Sequence, residues 1–327
     1  MPTVDKQRLL VRAAVMYYVE GATQFEIARH LGVSRATAGR LVASARSTGV
    51  VRIEIVSGIT RQVEAERGLE AAYGLEEAVV IDPADVDGAG NVDLGHGCAD
   101  ILSRRIVPGT VVGLGWSSNP AEWIARTAEV LRTARRTATD VPRVTVVQLA
   151  GAAPSDPARV NPMRTVSAVA DALDAGEVLI AAPLYVDTAT TVASLRADRG
   201  ISAALHAGAS ADICMFGVGH VTATTPLHVN GYLSDHQLAE LQRLGAVGDV
   251  LGRFFDIEGR EVGGVLAECT LSLDLDALRS RPLRVAAAAG PERVTPLHAA
   301  LSGGLANAVV TDTPTAQALV EHCRPTH

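Results

Sequence analysis

A two-domain α/β protein is predicted, a small helical head followed by a doubly wound, Rossmann-like parallel sheet. Three observations predict it. The 327 residues exceed the usual span of one domain. From residue 78 onward, short apolar runs alternate with stretches of helical period, the pattern of strands joined by crossover helices. Hydrophobic residues make up 48% of the chain and aromatics only 3%, so Ala, Val, Leu and Ile must fill the core. Such a core suits strands buried on both faces.

In the head, Leu9, Leu10, Ala13, Met16 and Tyr17 fall at helical spacing and predict a helix over 5–20, closed by Gly21. Thr23-Gln24-Phe25-Glu26 reads as a capping box that starts a helix over 24–31, burying Phe25, Ile27, Ala28 and Leu31. Gly32-Val33 turns the chain, and Ser34 caps a third helix over 35–48. With Ala28 small at the crossing and Gly32 in the turn, this is a helix-turn-helix pattern, whose second helix enters the DNA major groove. Its outward residues are Ser34, Arg35, Thr37, Gly39 and Arg40. Arginine pairs bidentately with guanine, and threonine touches a thymine methyl or a phosphate. Thr23 and Gln24, opening the preceding helix, complete the candidate DNA-contacting set with Ser34, Arg35, Thr37 and Arg40. Gly49 stops the helix, and Val50–Val56 alternates as the strand of a winged arrangement. A packing module with a solvated arginine face is the plainer alternative.

Val63, Leu69 and Ala72 mark a connecting helix ended by Gly74, so the expected organisation is a DNA-binding domain at 1–57, a linker helix at 58–74 and an effector domain at 75–327. Strands are expected at 78–81, 110–114, 144–149, 211–217, 284–288 and 308–311. Helices are expected at 92–106, 119–132, 163–175, 234–244, 292–302 and 314–322. Ligands of such folds bind beyond the carboxyl ends of the strands. Four segments are read at such ends: Gly113–Asn119, Gln148–Gly151, Gly217–His220 and Gly248–Asp256. In the first, Gly115 and Trp116 precede Ser117 and Ser118, whose hydroxyls beside a helix start form a cradle for phosphate or sugar hydroxyls. Such a loop also serves as a plain tight turn, and without a G-x-G-x-x-G spacing it gives a dinucleotide site little support.

Taken in order, Tyr17–Val56, Gly113–Ser118, Ala182-Pro183-Leu184-Tyr185, Gly217-Val218-Gly219, Gly245–Asp249, Arg253–Asp256 and Ala299–Ala316 resemble the SorC family of sugar-responsive regulators over nearly the whole chain. The resemblance implies an effector domain similar to sugar-phosphate isomerases that senses a sugar, polyol or sugar phosphate without converting it. It also implies dimers or tetramers on palindromic operators of carbohydrate operons, and a repressor as the function. It brings Gln148, Arg253 and Arg293 toward Ser117 and Ser118 as effector-binding residues. Two departures stand out: Trp116-Ser117-Ser118 where relatives carry threonines, and Arg293 where some carry a lysine. Arginine still binds phosphate, but forms no imine.

Charge supports a nucleic-acid-binding end. The net charge is −7, yet residues 1–60 carry +4 and the remainder −11. Lys6 is the only lysine beside 28 arginines, which excludes a Schiff-base lysine in the body. Cys98, Cys214, Cys269 and Cys323 have no paired spacing, so buried thiols are expected rather than disulfides, and no metal or cofactor. His206, His228 and His236 lack metal spacing, His220 reads as a satisfied loop histidine, and Asp256 as the residue that fixes the Gly259 turn. No signal peptide or long apolar run is present, so a cytoplasmic location is expected. An isomerase or deaminase on the same fold is the main alternative, but no compact acid–base pair flanks Ser117-Ser118. A nucleotide- or protein-binding regulator is a third reading, with no motif behind it.

Overall fold

The computed structural model describes residues 3–48, 50–51, 62–82, 93–115, 122–135, 143–152 and 162–323. The chain divides into two compact units, Met1–Ser57 and Gly58–His327.

The head holds α1 (Thr3–Tyr18), α2 (Gln24–Leu31) and α3 (Arg35–Ser47). The capping box closes as its spacing predicts: Thr23 N donates to Glu26 Oε2 at 2.8 Å, and Glu26 N to Thr23 Oγ1 at 3.3 Å. Gly32 ends α2 at φ +64, a left-handed conformation that costs a side-chain-bearing residue free energy. Ala13, Ile27, Ala28, Ala38, Leu41 and Ala45 are buried between the three helices. Phe25 is not among them; it is 64% exposed. Ile27 and Ala28 fix which side of α2 faces inward, and a residue two positions before Ile27 lies about 200° around the axis. Tyr17 is likewise outside the core and lies edge-on to Tyr18, ring centroids 5.0 Å apart. Of the expected wing strand, residues 52–56 lie outside the described residues.

The larger unit starts with α4 (Val63–Tyr73), β1 (Glu77–Ile81), α5 (Leu94–Arg105), β2 (Val111–Leu114), α6 (Glu122–Arg135) and β3 (Thr145–Gln148). It continues with α7 (Pro162–Leu173), β4 (Gly176–Val178), α8 (Ala189–Ala197), α9 (Arg199–Ala209), β5 (Ile213–Gly217), β6 (Gly219–His220), α10 (Pro226–Val229) and α11 (Asp235–Arg243). Then come β7 (Gly248–Val250), β8 (Arg253–Phe255), β9 (Glu261–Val262), α12 (Gly264–Glu268), α13 (Leu275–Arg279), β10 (Leu283–Ala287), α14 (Val294–Ser302), β11 (Ala308–Asp312) and α15 (Thr313–His322). Seven strands form one sheet in the order β1-β11-β10-β5-β2-β3-β4, every pairing parallel. Chain order runs outward from β2 to β3 and β4 on one side, and from β5 to β10 and β11 on the other. The order therefore reverses between β2 and β5, where Leu114 pairs with Met215.

Alternate residues of β1, β3, β5, β10 and β11 enter two separate cores. Val80, Val147, Cys214, Phe216, Ala286 and Val309 pack on one face; Val79, Val146, Met215, Val285, Ala287 and Val310 pack on the other. Both faces are dry, which is why the strands read as continuous apolar runs. On the outer edge, α4 covers β1 with polar groups. Glu66 Oε1 accepts from Val80 N and Glu70 Oε1 from Ala78 N, each at 3.1 Å, while Gln62 N donates to Val80 O at 3.3 Å.

A second sheet was not expected. Gly217–His220 and Gly248–Asp256, read as loops at parallel strand ends, instead supply β6, β7 and β8 of a four-stranded antiparallel sheet in the order β6-β7-β8-β9. Strands of two or three residues are too short to display a period of two. Asp256 does fix the Gly259 turn: its Oδ1 accepts from Glu258 N at 3.0 Å and from Arg260 N at 2.8 Å. The expected 292–302 helix is divided, a 3-10 turn at Pro291–Arg293 preceding α14.

Candidate functional site

The crevice at the carboxyl ends of β2 and β5 is where a doubly wound sheet offers a ligand site. Gly115 stands at the end of β2, its N–H donating to Met215 O at 2.8 Å. A Cβ there would lie 2.2 Å from Leu251 Cδ2 and 2.9 Å from Phe216 Cβ, so only glycine lets the β7–β8 turn come this close. That turn is itself under backbone strain, with Leu251 at φ +57. Trp116, Ser117 and Ser118, expected to cradle the ligand, lie outside the described residues.

The β7–β8 hairpin on which Gly115 packs carries one half of a buried charge pair, in which the sequence pointed to Arg293 and missed Asp249. Asp249, on β7, is 5% exposed and pairs across the strands with Gly219, which has no side chain to cover it. Burial pushes its carboxyl from 3.8 up to about 6, against the pull of Arg293 and of the Gly252 N–H. Among the described residues its Oδ1 has no hydrogen-bond partner. Arg293 is 5% exposed and donates from Nη1 to Val218 O at 2.6 Å; burial lowers its pKa, while Asp249 and Glu292 raise it. The 3-10 turn that carries Arg293 is introduced by Gly290 at φ +107, whose N–H donates to Thr315 Oγ1 at 2.9 Å.

His220 leaves β6 on the opposite face from Asp249. Its Nδ1 lies 2.8 Å from Thr222 Oγ1 and its Nε2 3.8 Å from Glu292 Oε2. Burial, then Arg293, hold its pKa below the usual imidazole value. Tyr185 closes the back of the turn, donating to Gly252 O at 2.7 Å, with its phenol pushed up by burial and by Asp249.

Gln148 and Arg253 are engaged by the protein itself. Gln148 Nε2 donates to Ala150 O at 2.6 Å, and its Oε1 accepts from Ile180 N at 3.1 Å. The Arg253 guanidinium is buried: Nε donates to Ser272 Oγ at 3.0 Å, Nη1 to Glu261 at 2.7 Å, and Nη2 to Asp274 at 2.8 Å and Thr270 O at 3.4 Å. It ties β8 to the Thr270–Asp274 segment. Asp249 offered only one signal in the sequence, an acid between glycine and valine within a short apolar run.

In the head, Ser34 Oγ accepts from Thr37 N at 3.1 Å and lies 2.9 Å from Thr37 Oγ1, which in turn accepts from Arg40 Nη2 at 3.3 Å. This chain orders one exposed side of α3, with Arg35 exposed at its first turn. Thr23 is engaged in the α2 cap, and Gln24 Oε1 would lie 3.2 Å from a Cβ at Gly39, so the start of α2 is seated on the outer side of α3. Cys98, Cys214 and Cys269 are free and buried, and Cys323 is free and half-buried. No His, Cys, Asp and Glu group that would hold a metal occurs among the described residues, and none of their helices is long and apolar enough to cross a membrane.

Residues 57–321 match the family described as "Putative sugar-binding domain". The chain is 30% identical over 317 residues to the deoxyribonucleoside regulator of Bacillus subtilis, covering 97% of this chain and 98% of that one. It is 28% identical to the erythritol catabolism regulatory protein of Brucella abortus, over 95% of this chain and 96% of that one. Its structure is similar to the full-length sorbitol operon regulator SorC of Klebsiella pneumoniae, with a TM-score of 0.70, 26% identity, and 97% and 99% of the two chains covered.

Proposed function

The chain belongs to the SorC family of sugar-binding transcriptional regulators, and from that premise we propose that it represses a carbohydrate or polyol operon until an effector fills the crevice at the β2–β5 switch point. The observation that carries this reading is the Asp249–Arg293 pair. A buried carboxylate oxygen with no partner among the described residues offers an acceptor to a small, hydroxyl-rich molecule, and the buried guanidinium beside it supplies positive charge. Hydroxyls satisfy the carboxylate, and a phosphate, where the effector has one, meets Arg293. Gly115, Trp116, Ser117 and Ser118 are assigned to the effector site as well, the last three from the sequence alone. Gln148 and Arg253 hold the frame, because their polar groups are committed to the protein.

We assign 1–57 to operator binding through Thr23, Gln24, Ser34, Arg35, Thr37 and Arg40, 58–74 to the connecting helix, and 75–327 to sensing. A palindromic operator requires two heads, so the protein acts in the cytoplasm as a dimer or tetramer. It binds its effector without converting it. Asp249 and His220 are the acid–base candidates for a reaction, but they leave the β6–β7 pair by opposite faces.

The test is a thermal-shift screen of sugars, polyols and their phosphates, followed by titration of the operator complex with each hit. A selective binder raises the melting temperature through its preference for the native state. The expected result is one chemical series that both stabilises the protein and releases DNA, recovered unchanged. A binder that leaves the complex intact, or that is turned over, overturns the reading.

A further inference from the structure

The exposed Phe25 has no role in the fold. It lies in the first turn of α2, and the core of the head is completed by Ile27 and Ala28 from the other side of that helix. It borders an open concavity of about 840 Å³ that it shares with Tyr17, Thr23, Gln24 and Arg35. None of the described residues that line this concavity is acidic, and Arg35 opens the helix read as entering the major groove. Gln24, seated over Gly39, fixes the first turn of α2 against α3, so the ring's place beside Arg35 is set by the head itself.

Of the base groups displayed in the major groove, the thymine C5-methyl is the apolar one, and phenylalanine is among the side chains that contact it. We propose that Phe25 is a specificity-determining residue that packs on a thymine methyl at the edge of each operator half-site. The inference rests on the DNA-binding reading of the head and adds to it a base that hydrogen-bonding residues alone would leave unread.

The experiment selects operators from random duplexes with the full-length protein and with Phe25→Ala. It then replaces each selected thymine by deoxyuridine, which removes only the methyl. Wild type is expected to select a thymine at one fixed position per half-site and to lose about fourfold in affinity when that methyl is removed, the effect of roughly one methyl group withdrawn from an apolar contact. Phe25→Ala is expected to lose a similar factor and to be indifferent to the deoxyuridine, while Phe25→Leu retains part of the preference. Equal sensitivity to deoxyuridine in wild type and Phe25→Ala overturns the inference. So does a Phe25→Ala protein whose oligomeric state changes in light scattering while its base preference does not, since the ring then serves a protein contact. Failure of the wild type to select any duplex overturns the DNA-binding reading itself, and the inference with it.

Discussion

Leu251 Cδ2 lies 2.2 Å from where a Cβ on Gly115 would stand, and so couples the end of β2 to the β7–β8 hairpin that bears Asp249. Gly115→Ala therefore forces Leu251 outward, because the new methyl is also only 2.9 Å from the Phe216 Cβ and cannot retreat that way. We expect a loss of about 1–3 kcal/mol in stability, the usual cost of overpacking a close contact, and a weakened effector response. Denaturant unfolding and effector titration of the operator complex check both. Unchanged stability would show that the turn yields freely.

Asp249→Asn keeps the shape of the site and removes its charge. Because the folded carboxyl titrates near 6 and the unfolded one near 3.8, the native state holds an extra proton between those values. Stability from this group is therefore lost as pH rises from about 4 to 6, and the loss is complete above 6. Its size is bounded at about 3 kcal/mol by the span from 3.8 to about 6. His220, with its pKa lowered by burial, slopes the opposite way. The measurement is accordingly the difference between wild-type and variant melting temperatures. That difference should fall across this window and level off above it; a flat difference would place Asp249 in water. The same variant should need at least tenfold more effector, having lost a charged acceptor.

Arg35 and Arg40 face solvent on the ordered side of α3. Arg35→Ala should weaken the selected operator by about 1–3 kcal/mol and relax preference for one guanine. Arg40→Ala should weaken all duplexes alike and reduce the salt slope by about one. Fluorescence-anisotropy titrations at several salt concentrations separate the two. Wild-type affinity and preference in both variants would remove α3 from the interface.

Much of the large sheet was legible because both of its faces are dry. A strand such as Val79–Ile81 alternates between two cores, so every position is apolar and the run stands out. The head was legible through its end signals, the Thr23–Glu26 box and Gly32. What stayed hidden lacked a local signature. The β6–β9 strands are only two or three residues long, and β6 finds its partner β7 about thirty positions away; Phe25 looked like core because residue type was read without its angle around the helix. The charge cluster was hidden for the same reason: Asp249 and Arg293 lie 44 positions apart and meet only through the fold.

Glu66 offers a test of the sheet edge. Glu66→Ala should leave the Val80 N–H without its acceptor and cost about 1–3 kcal/mol. Glu66→Gln, which keeps a carbonyl oxygen there, should cost less. Hydrogen exchange at Val80 reports the site directly: faster exchange in Glu66→Ala alone is the expected outcome, and equal protection in all three proteins would refute it.

A bare parallel edge is a template on which any extended peptide can copy the hydrogen-bond ladder, and β1 would be such a template if its outward amides were open. Here the amides of Ala78 and Val80 already hold carboxylates, and the Val80 carbonyl already holds the Gln62 amide. An invading strand must therefore displace charged acceptors as well as exclude water. Main-chain polymerisation is chemically discouraged along this border, which leaves side chains as the means of any recognition there, and side chains can be specific in a way that a backbone ladder is not.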